Sequence, residues 1–232
     1  MELQILELLE GARRARGLTV VIDVFRAFSL EAYLFARGAK EIYAVGAEAS
    51  ARRLKEEHPG ALLVGERGGK ILPGFDYGNS PSQTEDADLP GRTVIHTTSA
   101  GTQGLVAAAA GASELLTGSL ANAEAIARYI RVRDPDVLSL VAMGWNGRDS
   151  SPEDTLCARL IAAKLQGRTL DMDREMAIVR AHPQGAKFFD PAQQEVFPER
   201  DYWLCTAVDR FDFVIRATRL SEDTFLMNVV KC

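Results

Sequence analysis

Slid along itself by 73 residues without a gap, the chain meets its own pattern. Val21-Ile22-Asp23 falls on Val94-Ile95-His96, Ala27 on Ala100, Ser29 on Thr102 and Ala36 on Ala109. Gly38-Ala39-Lys40-Glu41-Ile42 falls on Gly111-Ala112-Ser113-Glu114-Leu115, and after a short insertion Gly65-Glu66-Arg67 meets Gly144-Trp145-Asn146. Each copy reads apolar run, polar turn, helical stretch stopped by glycine, second apolar run, helix, third apolar run. The runs at 18–22 and 137–143 are almost continuously apolar, as in parallel strands buried on both faces. Strands alternating with helices build a sheet covered on both sides. The expected fold is therefore α/β, a three-layer α/β/α arrangement of two related halves with largely parallel strands. One domain is expected over 1–232, with halves at about 18–68 and 91–147 and a C-terminal helical extension over 152–232. Ligands of open α/β sheets bind outside the carboxyl ends of the strands, so loops 23–29 and 96–102 are expected to face one crevice.

Elsewhere the pattern is weaker. Residues 3–9 read equally well as strand or helix, and 11–17, rich in arginine, as a solvated connector. Residues 70–91 are long and turn-rich; a loop of that length inside a compact domain is usually functional. Short strands are expected near 213–215 and 224–230, and a helix end within 203–209.

Composition narrows the function. A net charge of -5 argues against a general nucleic-acid binder. No apolar run approaches the roughly 18–20 residues of a membrane span, and the first residues lack the layout of a signal peptide. Cys157, Cys205 and Cys232 are scattered and odd in number, which reads as reduced thiols in a cytoplasmic protein. His58, His96 and His182 form no cluster, so zinc is not expected. A homodimer is the base-rate expectation.

The chemistry lies in the loops after strands. Residues 92–104 turn from β-branched residues into Thr97-Thr98-Ser99-Ala100-Gly101-Thr102 and then into a helix, whose N-terminal N–H groups favour an anion. The plainer reading is that these hydroxyls cap the helix. Asp23, Glu66 and the pair Glu153-Asp154 follow other strands, with Arg26 and Arg67 beside them. Carboxylates of this kind suit Mg²⁺, and arginine grips phosphate or carboxylate. Together they are the parts of a metal-assisted phosphoryl-transfer site. His96 and Cys157 read first as core residues, and Glu153-Asp154 after Pro152 also as helix-start chemistry.

Several stretches, taken in order, resemble the 2-phosphosulfolactate phosphatase family: Val21-Ile22-Asp23-Val24-Phe25-Arg26-Ala27, Gly65-Glu66-Arg67, Gly74-Phe75-Asp76-Tyr77-Gly78-Asn79-Ser80-Pro81, Thr97-Thr98-Ser99-Ala100-Gly101-Thr102, Gly118-Ser119-Leu120-Ala121-Asn122-Ala123 and Glu153-Asp154. Residues 201–209 and Val214 match more loosely. The resemblance implies a three-layer α/β/α fold and Mg²⁺-dependent hydrolysis of (2R)-2-phospho-3-sulfolactate to 3-sulfolactate and phosphate, a step of coenzyme M biosynthesis in organisms that make it. On this reading Asp23, Arg26, Glu66 and Arg67 are catalytic. Asp23, Glu66, Glu153 and Asp154 supply the metal ligands. Thr97, Thr98, Ser99, Gly101 and Thr102 hold the phosphate, while Asn79 and Ser80 or Ser119 and Asn122 meet a second anionic group. The chain departs from the family's usual Asn-Gly-Thr at Ala100, and it carries Phe28 and Tyr33 where smaller or β-branched side chains are expected. That leaves two alternatives: a phosphatase of another small phosphorylated hydroxy acid, and a non-catalytic module that binds an anionic metabolite.

Overall fold

The computed structural model describes residues 1–231, so Cys232 lies outside the described residues. Its strands are β1 (Glu2–Glu7), β2 (Gly17–Ile22), β3 (Glu41–Val45), β4 (Leu62–Arg67), β5 (Lys70–Ile71), β6 (Thr93–Thr97), β7 (Ala112–Gly118), β8 (Val137–Ala142), β9 (Phe213–Arg219) and β10 (Thr224–Lys231). They form one sheet in the order β1-β8-β2-β7-β9-β10-β3-β6-β4-β5. The helices are α1 (Leu8–Arg14), α2 (Ala27–Ala36), α3 (Glu48–Glu57), α4 (Gly101–Ala108), α5 (Ala123–Arg133), α6 (Pro152–Leu165), α7 (Met172–Ala181), α8 (Pro183–Ala186) and α9 (Glu199–Cys205).

The repeat takes a specific form in this sheet. The first copy supplies β2, β3 and β4, the second β6, β7 and β8. β2 lies between β7 and β8, and β6 lies between β3 and β4, all in parallel pairs. Each copy thus inserts its first strand between the other copy's second and third strands, and neither segment forms a half of its own. The β9–β10 hairpin joins the two parallel groups through antiparallel pairings to β7 and β3. The strand directions therefore reverse across the middle of the sheet.

Period-two alternation sorts the strand residues to the two faces. Leu18, Val20, Ile22, Leu138 and Leu140 pack with α5 and α6. Val21, Val141, Val64, Val94, Ile215 and Phe225 pack on the other face with Leu30 and Phe28 of α2 and Leu105 of α4. Leu63 and Ile95 face α3 through Ala51. Helices cover both faces, giving three layers. α4 lies so close to β2 that a Cβ on Gly104 would stand 2.8 Å from Val21 Cγ1.

Two local expectations are corrected. Residues 2–14 hold both a strand and a helix, and the arginine-rich connector is largely the last turn of α1, because Ala12 and Ala15 are buried between its exposed arginines. The extension over 152–232 is helical only as far as Cys205; β9 and β10 follow, where Val214, Ile215, Phe225 and Met227 are buried in the centre of the sheet. The helix end expected within 203–209 is that of α9, which runs from Glu199 to Cys205. Cys157 and Cys205 are buried thiols outside any disulfide. No helix among the described residues is long and apolar enough to cross a membrane.

Candidate active site

Asp23 is the residue at which the chain leaves β2. Its N–H donates to Gly118 O on β7 at 3.2 Å, so the backbone is still held by the sheet. Its Oδ1 accepts from Ala27 N–H, the first residue of α2, at 3.3 Å. The carboxylate also accepts from Gly101 N–H, the first residue of α4. One carboxylate therefore spans the N-termini of two helices, one from each copy of the repeat, and both ends favour negative charge. The approach is close at Gly101: a Cβ there would stand 3.0 Å from Asp23 Oδ2, Ala27 Cβ and the Phe28 ring. Burial works against ionisation and, with the carboxylates of Asp154 and Glu66, pushes the Asp23 pKa up to about 8.

The hydroxyl loop after β6 is largely turned on itself. Thr102 Oγ1 donates to Thr98 O and accepts from Thr98 N–H, both at 3.0 Å, while Thr98 Oγ1 accepts from Thr102 N–H at 3.2 Å. Thr97 Oγ1 accepts from Arg67 Nη2 at 3.1 Å and donates to Gly46 O at 3.4 Å. Thr97, Thr98 and Thr102 are enclosed, so these hydroxyls set the loop's shape. Ser99 is the hydroxyl of this loop that lines the cleft, beside Ala100. Ser99 N–H and Oγ donate to Glu66 at 2.7 and 3.2 Å, and Gly69 N–H donates to the same carboxylate at 2.7 Å. Glu66 thereby ties the turn after β4 to the loop after β6.

A cleft opens among these groups. Asp23, Glu66, Ser99 and Ala100 come from strand ends; Arg26, Gly69, Asn79, Gly144 and Asn146 from turns; Phe25, Trp145, Phe188, Phe197 and Lys187 complete it. Arg26 is held in its wall. Its Nη1 donates to Asp201 Oδ2 at 2.7 Å and Val196 O at 2.9 Å, and its Nη2 to Gly69 O at 3.2 Å. The guanidinium also lies 5.0 Å from the Phe197 ring centre. Asp201 Oδ1 accepts from Ser80 Oγ and Ser82 N–H, both at 2.9 Å. Ser80 is thus a support for Arg26's partner. Asn79 lines the cleft with its side chain 3.3 Å from His96 Nε2, and His96 Nδ1 stands 2.9 Å from Glu31 Oε1 in full burial. Ser119 and Asn122 cap each other at the helical turn 120–122, and Asn122 Nδ2 donates to Phe213 O at 3.4 Å. Their polar groups are committed to that turn. Arg67 is committed to the Glu66 carbonyl and Thr97.

The two acids that open α6 divide their roles. Asp154 accepts Val24 N–H at 2.7 Å on Oδ1 and Gly144 N–H at 2.8 Å on Oδ2, clamping the ends of β2 and β8. Burial and Glu153 raise its pKa well above the ordinary range. Glu153 is buried and its pKa is pushed up to about 7, mainly by that burial. Its Oε2 has no hydrogen-bond partner among the described residues. The four expected metal ligands do not make a closed cage: no three acid, histidine or cysteine side chains among the described residues are arranged to hold a metal. Mg²⁺ usually takes one or two carboxylates, with substrate oxygens and water filling its octahedron. Asp23 and Glu66, the carboxylates lining the cleft, fit that smaller role.

Lys187, Trp145, Phe188 and Phe197 were not singled out in the sequence as site residues, and Asp201 stood there only within the looser family match. Lys187 Nζ lies 3.8 Å from the Trp145 ring centre and 4.3 Å from that of Phe197. Burial, reinforced by Arg26, lowers its pKa to about 7 against the opposing pull of Glu153, Glu66 and Asp23.

Strand-end carboxylates, two cations and an aromatic wall define an α/β protein with a cleft suited to a small, highly charged ligand. The chain belongs to the 2-phosphosulpholactate phosphatase family, whose sequence profile matches residues 4–218. A protein of Bacillus subtilis is 31% identical over 218 residues, covering 92% of both chains. One of Caldanaerobacter subterraneus subsp. tengcongensis is 32% identical over 209 residues, 84% of this chain and 85% of its own. One of Deinococcus radiodurans is 36% identical over 146 residues, 63% of this chain and 60% of its own. All three are named as probable 2-phosphosulfolactate phosphatases.

Proposed function

We propose that this protein is a phosphatase that hydrolyses (2R)-2-phospho-3-sulfolactate to 3-sulfolactate and phosphate, with Mg²⁺ as its cofactor, in the cytoplasm and as a step of the coenzyme M type of pathway. The observation that carries the reading is Asp23, a carboxylate at a strand end, aimed by two helix N-termini into a cleft that also holds Glu66 and two cations. The family's match over most of the chain supports the reaction and the substrate. Two buried thiols outside any disulfide fit a reducing compartment.

Asp23 is the group at the reacting centre, its oxygens held in place by Ala27 and Gly101 N–H. Glu66 holds Ser99 and Gly69 in place at the same end of the cleft. Arg26 supplies positive potential for the phosphate dianion, and Phe25, Trp145, Phe188 and Phe197 restrict water. Mg²⁺ held by Asp23 and Glu66 would neutralise phosphate charge.

Phosphate release from 2-phosphosulfolactate is the test. It is expected to stop with EDTA, return with Mg²⁺, and fall about 100-fold or more in Asp23→Ala. An Asp23→Ala enzyme with an unchanged rate would remove Asp23 from the centre. Ala100 favours a second reading, because it lines the cleft where the family resemblance expects an amide: the substrate would be another phosphorylated hydroxy acid. A panel of 2-phospho acids with and without a sulfonate separates the two, while ligand-induced stabilisation without turnover of any would point to a binding module.

A further inference from the structure

The cleft has two cations, and they are held differently. Arg26 gives three of its five N–H donors to Asp201 and the carbonyls of Val196 and Gly69. Lys187 gives one hydrogen bond, from Nζ to Gln184 Oε1 at 2.5 Å, and an ammonium carries three donors. Its Nζ is held over the faces of Trp145 and Phe197, contacts that fix a cation's position without using up ligand-binding hydrogens as a carboxylate would. It enters from the short helical turn Lys187–Phe189, a different wall from the strand ends that carry Asp23 and Glu66. A compact ammonium among aromatic faces suits a tetrahedral or planar anion approached from several directions.

We propose that Lys187 is the specificity-determining residue of the cleft, binding the substrate's second anionic group, the one remote from the phosphate. The assignment rests on the phosphatase reading for the identity of that group, a sulfonate or carboxylate. It explains why a chain with acids at the reacting end keeps a lysine inside its aromatic wall: a doubly anionic substrate needs a positive charge at each end, Arg26 at the phosphate and Lys187 at the other group.

The test uses binding as well as turnover. Thermal-shift titrations of the intact protein with 3-sulfolactate, lactate and inorganic phosphate are compared for wild type, Lys187→Met and Lys187→Arg. Lys187→Met is expected to weaken 3-sulfolactate about 10- to 100-fold, the loss of one charge-assisted hydrogen bond in a partly buried site, with a clearly smaller effect on phosphate. Lys187→Arg, which keeps the charge, recovers most of the loss. A matching loss for lactate assigns the carboxylate to Lys187; a loss confined to 3-sulfolactate assigns the sulfonate. Equal weakening of phosphate and 3-sulfolactate would overturn the proposal and make Lys187 a phosphate ligand. No weakening of either, or no binding of 3-sulfolactate to the wild type, would also overturn it. Lys187-dependent binding of 3-sulfolactate without hydrolysis of any phosphate ester would sink the phosphatase reading and leave this assignment standing.

Discussion

Arg26 and Asp201 are a buried ion pair whose partners lie 175 residues apart in sequence. Each is almost completely enclosed, and Asp201 also holds Ser80 and Ser82. Asp201→Ala leaves a guanidinium without its counter-charge and is expected to cost about 3–5 kcal/mol, read as a lower urea midpoint. The titrating groups predict a pH effect whose sign differs by window. Asp23 and Glu153 move from ordinary carboxylate values of 3.8 and 4.5 up to about 8 and about 7. Between those limits the folded chain holds protons that the unfolded chain has released, so both groups make stability fall as pH rises. Lys187, lowered from 10.5 to about 7, acts oppositely between those values. Urea midpoints from pH 5 to pH 8 should therefore decline less steeply in Asp23→Asn than in the wild type; parallel curves would contradict a raised Asp23. Asp23, Arg26 and Glu66 were legible in the sequence because they follow apolar runs, where α/β proteins keep their chemistry. Lys187 and Asp201 were not, because they sit in stretches without a clear period and reach the cleft only through tertiary packing. The hydroxyls of the 97–102 loop were visible, but nothing local shows that they bond to one another.

At the scale of elements, the cleft depends on how closely β4 approaches β6. A Cβ on Gly65 would stand 2.7 Å from Thr97 O and 2.9 Å from the Phe75 ring. Gly65→Ala is expected to push the two strands apart, cost about 1–3 kcal/mol, and lower phosphate release more than its stability loss explains, since Glu66 and Ser99 ride on those strands. Comparing activity well below the melting midpoint with the wild type checks this. The continuous apolar runs made the parallel strands readable. β1 and α1 were not separable, since a short apolar stretch serves either period. The hairpin was visible as two short β-branched runs, but its place between the two parallel groups has no local signature.

The whole molecule is tied together by strand exchange between the repeats. Because β2 is paired only within the second copy's strands and β6 only within the first's, neither copy can unfold while the other keeps its sheet. Calorimetry is expected to give one transition with matching calorimetric and van't Hoff enthalpies; two resolved transitions would refute that coupling. The same interlacing bears on how the chain is made. A ribosome releases β2 long before β7 and β8, roughly a hundred residues further on, so at ordinary translation rates the Leu-Thr-Val-Val-Ile stretch waits on the order of ten seconds for its partners. The β9–β10 hairpin that bridges the two strand groups emerges after the other strands. Nascent chains of this protein should therefore lean on holding chaperones for most of their synthesis, and the sheet should close only once the C-terminal strands have cleared the exit tunnel.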